Sequence, residues 1–212
     1  ERKDAQQWRC GAVGGHRLVV VRQPLLNLSM PADLVRRQFG VGGFQFCTQH
    51  LVDTQDPALI KASLFRADLI LSLQEENIPR IGEKVAEAGC GAVIVPGEAG
   101  LLSNIRLAEA SGITRVIADP VLQPCGSGLV QSLAGFTKPG CPLFFGAGNV
   151  IELCDADSVG MCALLAGMAY ETGASVIFCS EHSDKTAGCI QEMRTATDMM
   201  ALMDGRPYPK DL

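Results

Sequence analysis

Two carboxylates stand where an apolar run gives out: Asp53 in "HLVDT" (50–54) and Asp119 in "TRVIADP" (114–120). A carboxylate in such a place is costly to bury unless hydrogen-bond donors meet it. A pair of them turned into one mouth would accept from a heterocycle carrying amino and ring N–H donors. The alternative is a helix cap, in which Asp53 or Thr54 takes amide protons of the following turn. For Asp53 alone cap and ligand stay equally open; the second strand-end Asp favours the ligand. "PLFFGAG" (142–148) ends a further run in Gly146-Ala147-Gly148-Asn149. Gly146 and Gly148 would let backbone approach a ligand, and N–H groups opening a helix can hold an anion. A tight strand-to-loop turn gives the same pattern. Asp155 and Asp157 speak against phosphate there and are expected to cap the helix opening near Ser158. "SEHSDKTAG" (180–188) gathers Glu181, His182, Asp184 and Lys185 after the last run. Lys185 is the cation there that could meet a phosphate; the plain alternative is a solvated helix entry capped by Ser183 or Asp184. A Ser or Cys nucleophile is less well supported, since no G-x-S-x-G occurs and Cys179 sits within an apolar run.

The elements that must position these residues alternate regularly. The apolar runs are 50–54, 68–73, 91–96, 114–120, 142–148 and 174–181. Each is nearly continuous in apolar character, as strands buried on both faces are. Helical patterns separate them. Asp56-Pro57 opens the first; Ile78, Ile81, Val85 and Ala88 precede the stop at Gly89; Leu101, Ile105, Leu107 and Ala108 precede Gly112. Val130, Leu133 and Ala134 suggest another, and Ser158–Thr172 and Thr186–Met203 are the longest. This order means parallel strands with right-handed crossovers. With no sign of a reversal, it predicts an α/β fold of the TIM type, a (β/α) barrel, over an open doubly wound sheet. In such barrels ligands sit at the C-terminal strand ends, here Asp53, Ser72/Gln74, Pro96, Asp119, Gly146–Asn149 and Glu181–Lys185. The N-terminal part fits less well. "RLVVV" (17–21) reads as a strand and "MPADLVRRQF" (30–39) as a short helix. "GGFQFC" (42–47) reads as a strand that reaches "HLVDT" with no room for a helix. An eight-unit barrel usually takes about 250 residues, and this chain has 212. The expected division is an irregular, compressed or incomplete part over 1–48 and a barrel domain over 49–212.

Composition narrows the function. Hydrophobic residues make up 47% and charged residues 19%, which describes a well-buried globular chain. The net charge of −5, without a Lys/Arg cluster, argues against nucleic acid. No apolar run approaches the roughly 20 residues of a membrane span. The start "ERKDAQQWRCGAVGGHRL" has no signal-peptide core and no initiator Met, so the expectation is a cytoplasmic chain cut from a longer one. Nine cysteines, an odd and scattered set, do not read as a disulfide framework. Cys90, Cys154, Cys162 and Cys179 lie among apolar residues and are expected to pack as small hydrophobes. With no C-x-x-C, and with His16, His50 and His182 far apart, neither zinc nor an iron–sulfur cluster is expected.

At the strand ends the chain resembles a known family. "VDTQDPALIKASLFRADLILSL" is similar to the third-strand segment of dihydropteroate synthases, where Asp-Thr closes a strand, and "VIADPVL" to their Asp-Pro-Gly strand end. "ADPVLQPCGSGLVQSL", "GAGNVIELCDADSVGMCALLAGMAYETGASVIF", "EHSDKTAG" and "RPYPKDL" resemble the synthase-related proteins associated with tetrahydromethanopterin. The likeness runs from about residue 50 to the end. It implies a TIM barrel binding a pterin, with Asp53 and Asp119 as pterin-holding carboxylates, Asn149 and Gln74 beside them, and Gly146 and Gly148 as loop backbone. Lys185 and His182 would be the catalytic residues. The implied reaction transfers a dihydropterin methylene group to an arylamine with loss of diphosphate, in tetrahydromethanopterin or folate-type synthesis and C1 metabolism. Mg2+ would enter only where diphosphate is handled; no other cofactor is implied, and a homodimer is an open assembly state. The chain departs from the synthase pattern in three places. Leu71-Ser72, with Gln74 nearby, stands for the fourth-strand Asn, and Gly148-Asn149-Val150 for Ser-Arg-Lys. "SEHSDK" stands for Arg-x-His-Asp. A non-catalytic pterin-binding module and a pterin-dependent methyltransferase domain are therefore the alternatives.

Overall fold

The computed structural model describes residues 18–22, 45–47, 51–65, 67–137, 139–203 and 206–209. The helix expected over 30–39 lies outside them. Each apolar run becomes a strand: β3 (Leu51–Asp53), β4 (Leu69–Leu73), β5 (Gly91–Ile94), β6 (Val116–Ala118), β7 (Phe144–Gly146) and β8 (Val176–Ser180). Before them come β1 (Leu18–Arg22) and β2 (Gln45–Cys47). The helices are α1 (Pro57–Ser63), α2 (Ile78–Glu87), α3 (Leu101–Ala110), α4 (Leu129–Ala134), α5 (Gly148–Glu152), α6 (Ser158–Glu171) and α7 (Cys189–Leu202). Their ends follow local chemistry. Asp56 accepts from the Ala58 N–H at 2.8 Å and Pro57 takes the first position of α1. Asp157 accepts from the Gly160 N–H and caps α6, as expected. Gly89 and Gly112 end α2 and α3 with φ of 66° and 88°, values that favour glycine. The last helical pattern divides. Ser183 and Thr186 form a capping box around a 3-10 turn, Asp184–Thr186, and α7 begins only at Cys189.

β3, β4, β5 and β6 pair in parallel in that order, and so do β7 and β8. A parallel bridge from Ala118 to Leu143 joins the two sets. β1 pairs with β8 and with β2, both antiparallel. The strands therefore follow one another around an arc in chain order, which is the order of a barrel. β1 is the one reversed strand among those described, and among the described residues no ladder joins β2 to β3.

Alternation sorts the strand side chains into two cores. Leu51, Leu69, Leu71, Val93, Ile117, Phe144, Val176 and Phe178 pack on one side of the sheet. Val52, Ile70, Ala92, Ile94, Ala118, Phe145, Ile177 and Cys179 pack on the other with the helices, among them Ile81, Val85, Ile105, Leu165 and Met193. The first set fills the barrel; the second lies between barrel and helix layer.

Candidate functional site

The inward alternation fixes which strand-end residues reach the mouth. Asp53 continues the face of Leu51, Asp119 that of Ile117, Gly146 that of Phe144 and Ser180 that of Phe178. Asp53 stands beside Leu71 in the β3–β4 register and is exposed. It is not the cap of α1, since Asp56 fills that place and Thr54 Oγ1 accepts from the Asp56 N–H at 3.2 Å. Asp119 is more enclosed. Its backbone N–H donates to the Ile94 carbonyl at 2.8 Å, and its carboxylate accepts from the Val121 N–H at 2.8 Å. Burial pushes the Asp119 carboxyl up to about 6, and the Val121 hydrogen bond only partly offsets that. Val121 is held at a φ of 64°, costly for a β-branched residue, and so is Ser72 at 63°. Ser72 belongs to a bulge: Ile70 faces Ala92 and Leu73 faces Ile94, leaving two residues of β4 against one of β5. This bulge lies beside Asp53 and was not foreseen from the sequence; the polar Ser inside "LILSL" is its one local signal.

The other expected site residues tie the rim together. Asn149, exposed in α5, donates through Nδ2 to the Leu122 carbonyl at 3.0 Å and so fastens α5 to the loop that follows Asp119. The backbone N–H of Gln74 donates to Asn77 Oδ1 at 2.9 Å in the turn leading to α2. A Cβ on Gly148 would stand 3.1 Å from Ser180 Oγ and 3.5 Å from the Phe178 ring, so its missing side chain serves the packing of α5 on β8. A Cβ on Gly146 would meet only Asn149 Nδ2, at an ordinary contact distance of 3.8 Å. Lys185 Nζ donates to the Ile151 carbonyl at 3.0 Å and to that of Cys154, with Asp155 at 3.7 Å. Its ammonium thus sits on carbonyls at and just beyond the C-terminal end of α5, where a cation is favoured. His182 is exposed, and its backbone N–H donates to Glu152 at 2.7 Å.

Two carboxylates that sequence reasoning did not single out organise the loops. Glu152 accepts from the His182 N–H, from Ser183 Oγ at 2.8 Å and from Thr186 Oγ1 at 3.0 Å. Burial opposes its ionisation, but these donors outweigh it and hold the carboxyl below its usual range. Glu75, after β4, accepts from the Asn104 amide and from the Glu98 and Ala99 N–H groups at 2.6 and 3.1 Å. The Asn104 hydrogen bond foremost holds Glu75 at about 2. Glu181 accepts from the Gly188 and Ile190 N–H groups and closes the entry to α7. Among the described residues no trio of carboxylate or imidazole donors gathers at the mouth. The gathered metal-donor group is three thiols outside the barrel, Cys162, Cys179 and Cys189.

No known family's sequence profile matches the chain. An uncharacterized protein of Methanocaldococcus jannaschii is 35% identical over 176 residues, covering 73% of this chain and 34% of the relative. The chain thus spans about a third of the length of that relative. Three solved structures share its architecture. Yersinia pestis DHPS with a pterine-sulfa conjugate matches at a TM-score of 0.52 and 22% identity, over 73% of this chain and 68% of that one. Xanthomonas albilineans dihydropteroate synthase with 4-aminobenzoic acid matches at 0.54 and 22%, over 74% and 65%. The 7,8-dihydropteroate synthase of Vibrio fischeri matches at 0.52 and 19%, over 77% and 68%. The fold is that of the dihydropteroate synthases. The barrel reading therefore holds, and the open doubly wound sheet does not. Among the described residues no helix is long and apolar enough to cross a membrane.

Proposed function

We propose that this chain binds a pterin in the barrel mouth, with Asp53 and Asp119 accepting from its amino and ring N–H donors. The observation that carries this is the placement of both carboxylates on the inward face at C-terminal strand ends, Asp119 in a desolvated position with a single backbone donor. A desolvated carboxylate gains most from a ligand that brings further donors. The shared fold with a synthase solved with a pterin conjugate supports the same reading. The setting we infer is tetrahydromethanopterin-type or folate-type C1 metabolism, which rests on the motif resemblance.

Within that reading, a binding module that hands the pterin to a partner is favoured over a diphosphate-releasing synthase. Lys185 is the single Lys or Arg in the described loops after β3 to β8, and its ammonium sits on the Ile151 and Cys154 carbonyls at the end of α5. The test is calorimetry with 6-hydroxymethyl-7,8-dihydropterin. Asp53→Asn and Asp119→Asn should each weaken binding by about tenfold to a hundredfold, the worth of a hydrogen bond to a charged group. Unchanged affinity in both variants would remove the basis of the assignment. Robust diphosphate release from the hydroxymethyl-dihydropterin diphosphate with an arylamine would instead establish the transferase.

A further inference from the structure

Cys162 lies in the second turn of α6, Cys179 is the penultimate residue of β8, and Cys189 is the first of α7. All are buried, and their sulfur atoms lie within 4.8 Å of one another, with Cys179 and Cys189 Sγ at 3.1 Å. Cys179 points to the helix side of the sheet, with the outer core, so the trio is separate from the mouth. Three small hydrophobes could meet by packing alone. A second observation weighs against that. Glu192 lies one helical turn after Cys189, and its Oε2 is buried without a hydrogen-bond partner. An orphan carboxylate oxygen in such a place is costly and calls for a partner.

We propose that Cys162, Cys179 and Cys189 form a binding site for a thiophilic divalent cation of the zinc class, with the Glu192 carboxylate, one helical turn from Cys189 and outside the 4.8 Å cluster, turning in to close a four-coordinate shell. Around a tetrahedral ion with Zn–S bonds of about 2.3 Å the sulfurs stand about 3.8 Å apart, which lies between the 3.1 Å of Cys179 and Cys189 and the 4.8 Å within which all three sulfurs fall. Three thiolates and one carboxylate around a dication give the same net charge as a four-cysteine zinc site. A monovalent copper ion would leave more negative charge buried and has little use for the oxygen donor. Cys189 and Glu192 share one face of α7 at i and i+3, and Cys162 faces them from α6. A bound ion would join β8, α6 and α7 directly behind the 181–188 loop. This inference is independent of pterin binding.

The test is a Co2+ titration of the reduced, chelator-treated protein, followed by competition with Zn2+. One equivalent should bind, with thiolate-to-metal charge transfer in the near ultraviolet and tetrahedral d–d bands in the visible, and Zn2+ should abolish both. Cys189→Ser should lose the tetrahedral spectrum. Glu192→Gln should keep thiolate charge transfer but bind at least about tenfold more weakly. Cys90→Ser, whose thiol donates to the Ala67 carbonyl elsewhere in the core, should titrate as the parent does. If Cys189→Ser does not fold, the parent and Glu192→Gln still decide. No saturable spectrum in the reduced parent protein, or an unchanged one in Glu192→Gln or Cys189→Ser, overturns the site.

Discussion

At the scale of the residue, Asp119 decides how the mouth responds to pH. Its carboxyl is pushed by burial to about 6 from an ordinary value of 3.8. A folded-state value raised above the unfolded one means that the native state holds the proton more tightly. Its contribution to stability is fully present below the unfolded value and is lost as pH rises through about 6, an effect of up to about 3 kcal/mol. Asp119→Asn should flatten that part of the stability profile in urea denaturation between about pH 4 and pH 7. Ligand binding runs the other way, because the ionised carboxylate is the acceptor. Pterin affinity should fall about tenfold between pH 7 and pH 5 in the parent protein and stay level in Asp119→Asn. A level profile in the parent would show that the proton on Asp119 does not matter to the ligand.

At the scale of the element, Glu152 holds the 181–188 loop to α5 through hydrogen bonds from His182, Ser183 and Thr186. Glu152→Ala leaves these donors without their acceptor and should cost about 1–3 kcal/mol in urea denaturation. Hydrogen exchange should rise across the loop while α2 and α3 stay protected. Because its carboxyl is depressed, this contribution is present above about pH 4.3 and is lost as pH falls through the folded value. Loop exchange should therefore rise in acid in the parent and not in the variant. Most elements were legible because both-side burial writes strands as unbroken apolar runs and caps are short-range: Asp56 and Asp157 were readable in place, and Ser183 was one of two caps the alternative reading offered. What was not legible depends on distant partners. Nothing near Glu152 says that a loop thirty residues on will donate to it, and nothing near Lys185 says that α5 will present its carbonyls. The Ser72 bulge and the gathering of three scattered cysteines are products of register and packing in the same way.

At the scale of the whole molecule, the two cores make separable demands. Phe144 and Phe145 are adjacent, both buried, and point to opposite sides of β7. Phe145 packs against Phe136 with ring centroids 5.2 Å apart, and Phe144 against Phe178 at 5.6 Å. Each Phe→Ala change should cost about 3–5 kcal/mol of stability, since each empties a well-packed site. Their effects on binding should differ. Phe144 lies on the inward face one step below Gly146, so its loss lets the floor of the mouth settle and should weaken pterin binding several-fold. Phe145 lies on the helix side, and Phe145→Ala should bind with the parent's affinity wherever the variant remains folded. Denaturation in urea gives the first quantity and calorimetry under native conditions the second. Equal losses of affinity in the two variants would mean that the mouth is coupled to the whole barrel wall rather than supported by its inner layer. A loss confined to Phe144→Ala would place the ligand inside the ring of strands, on the face that carries Asp53 and Asp119.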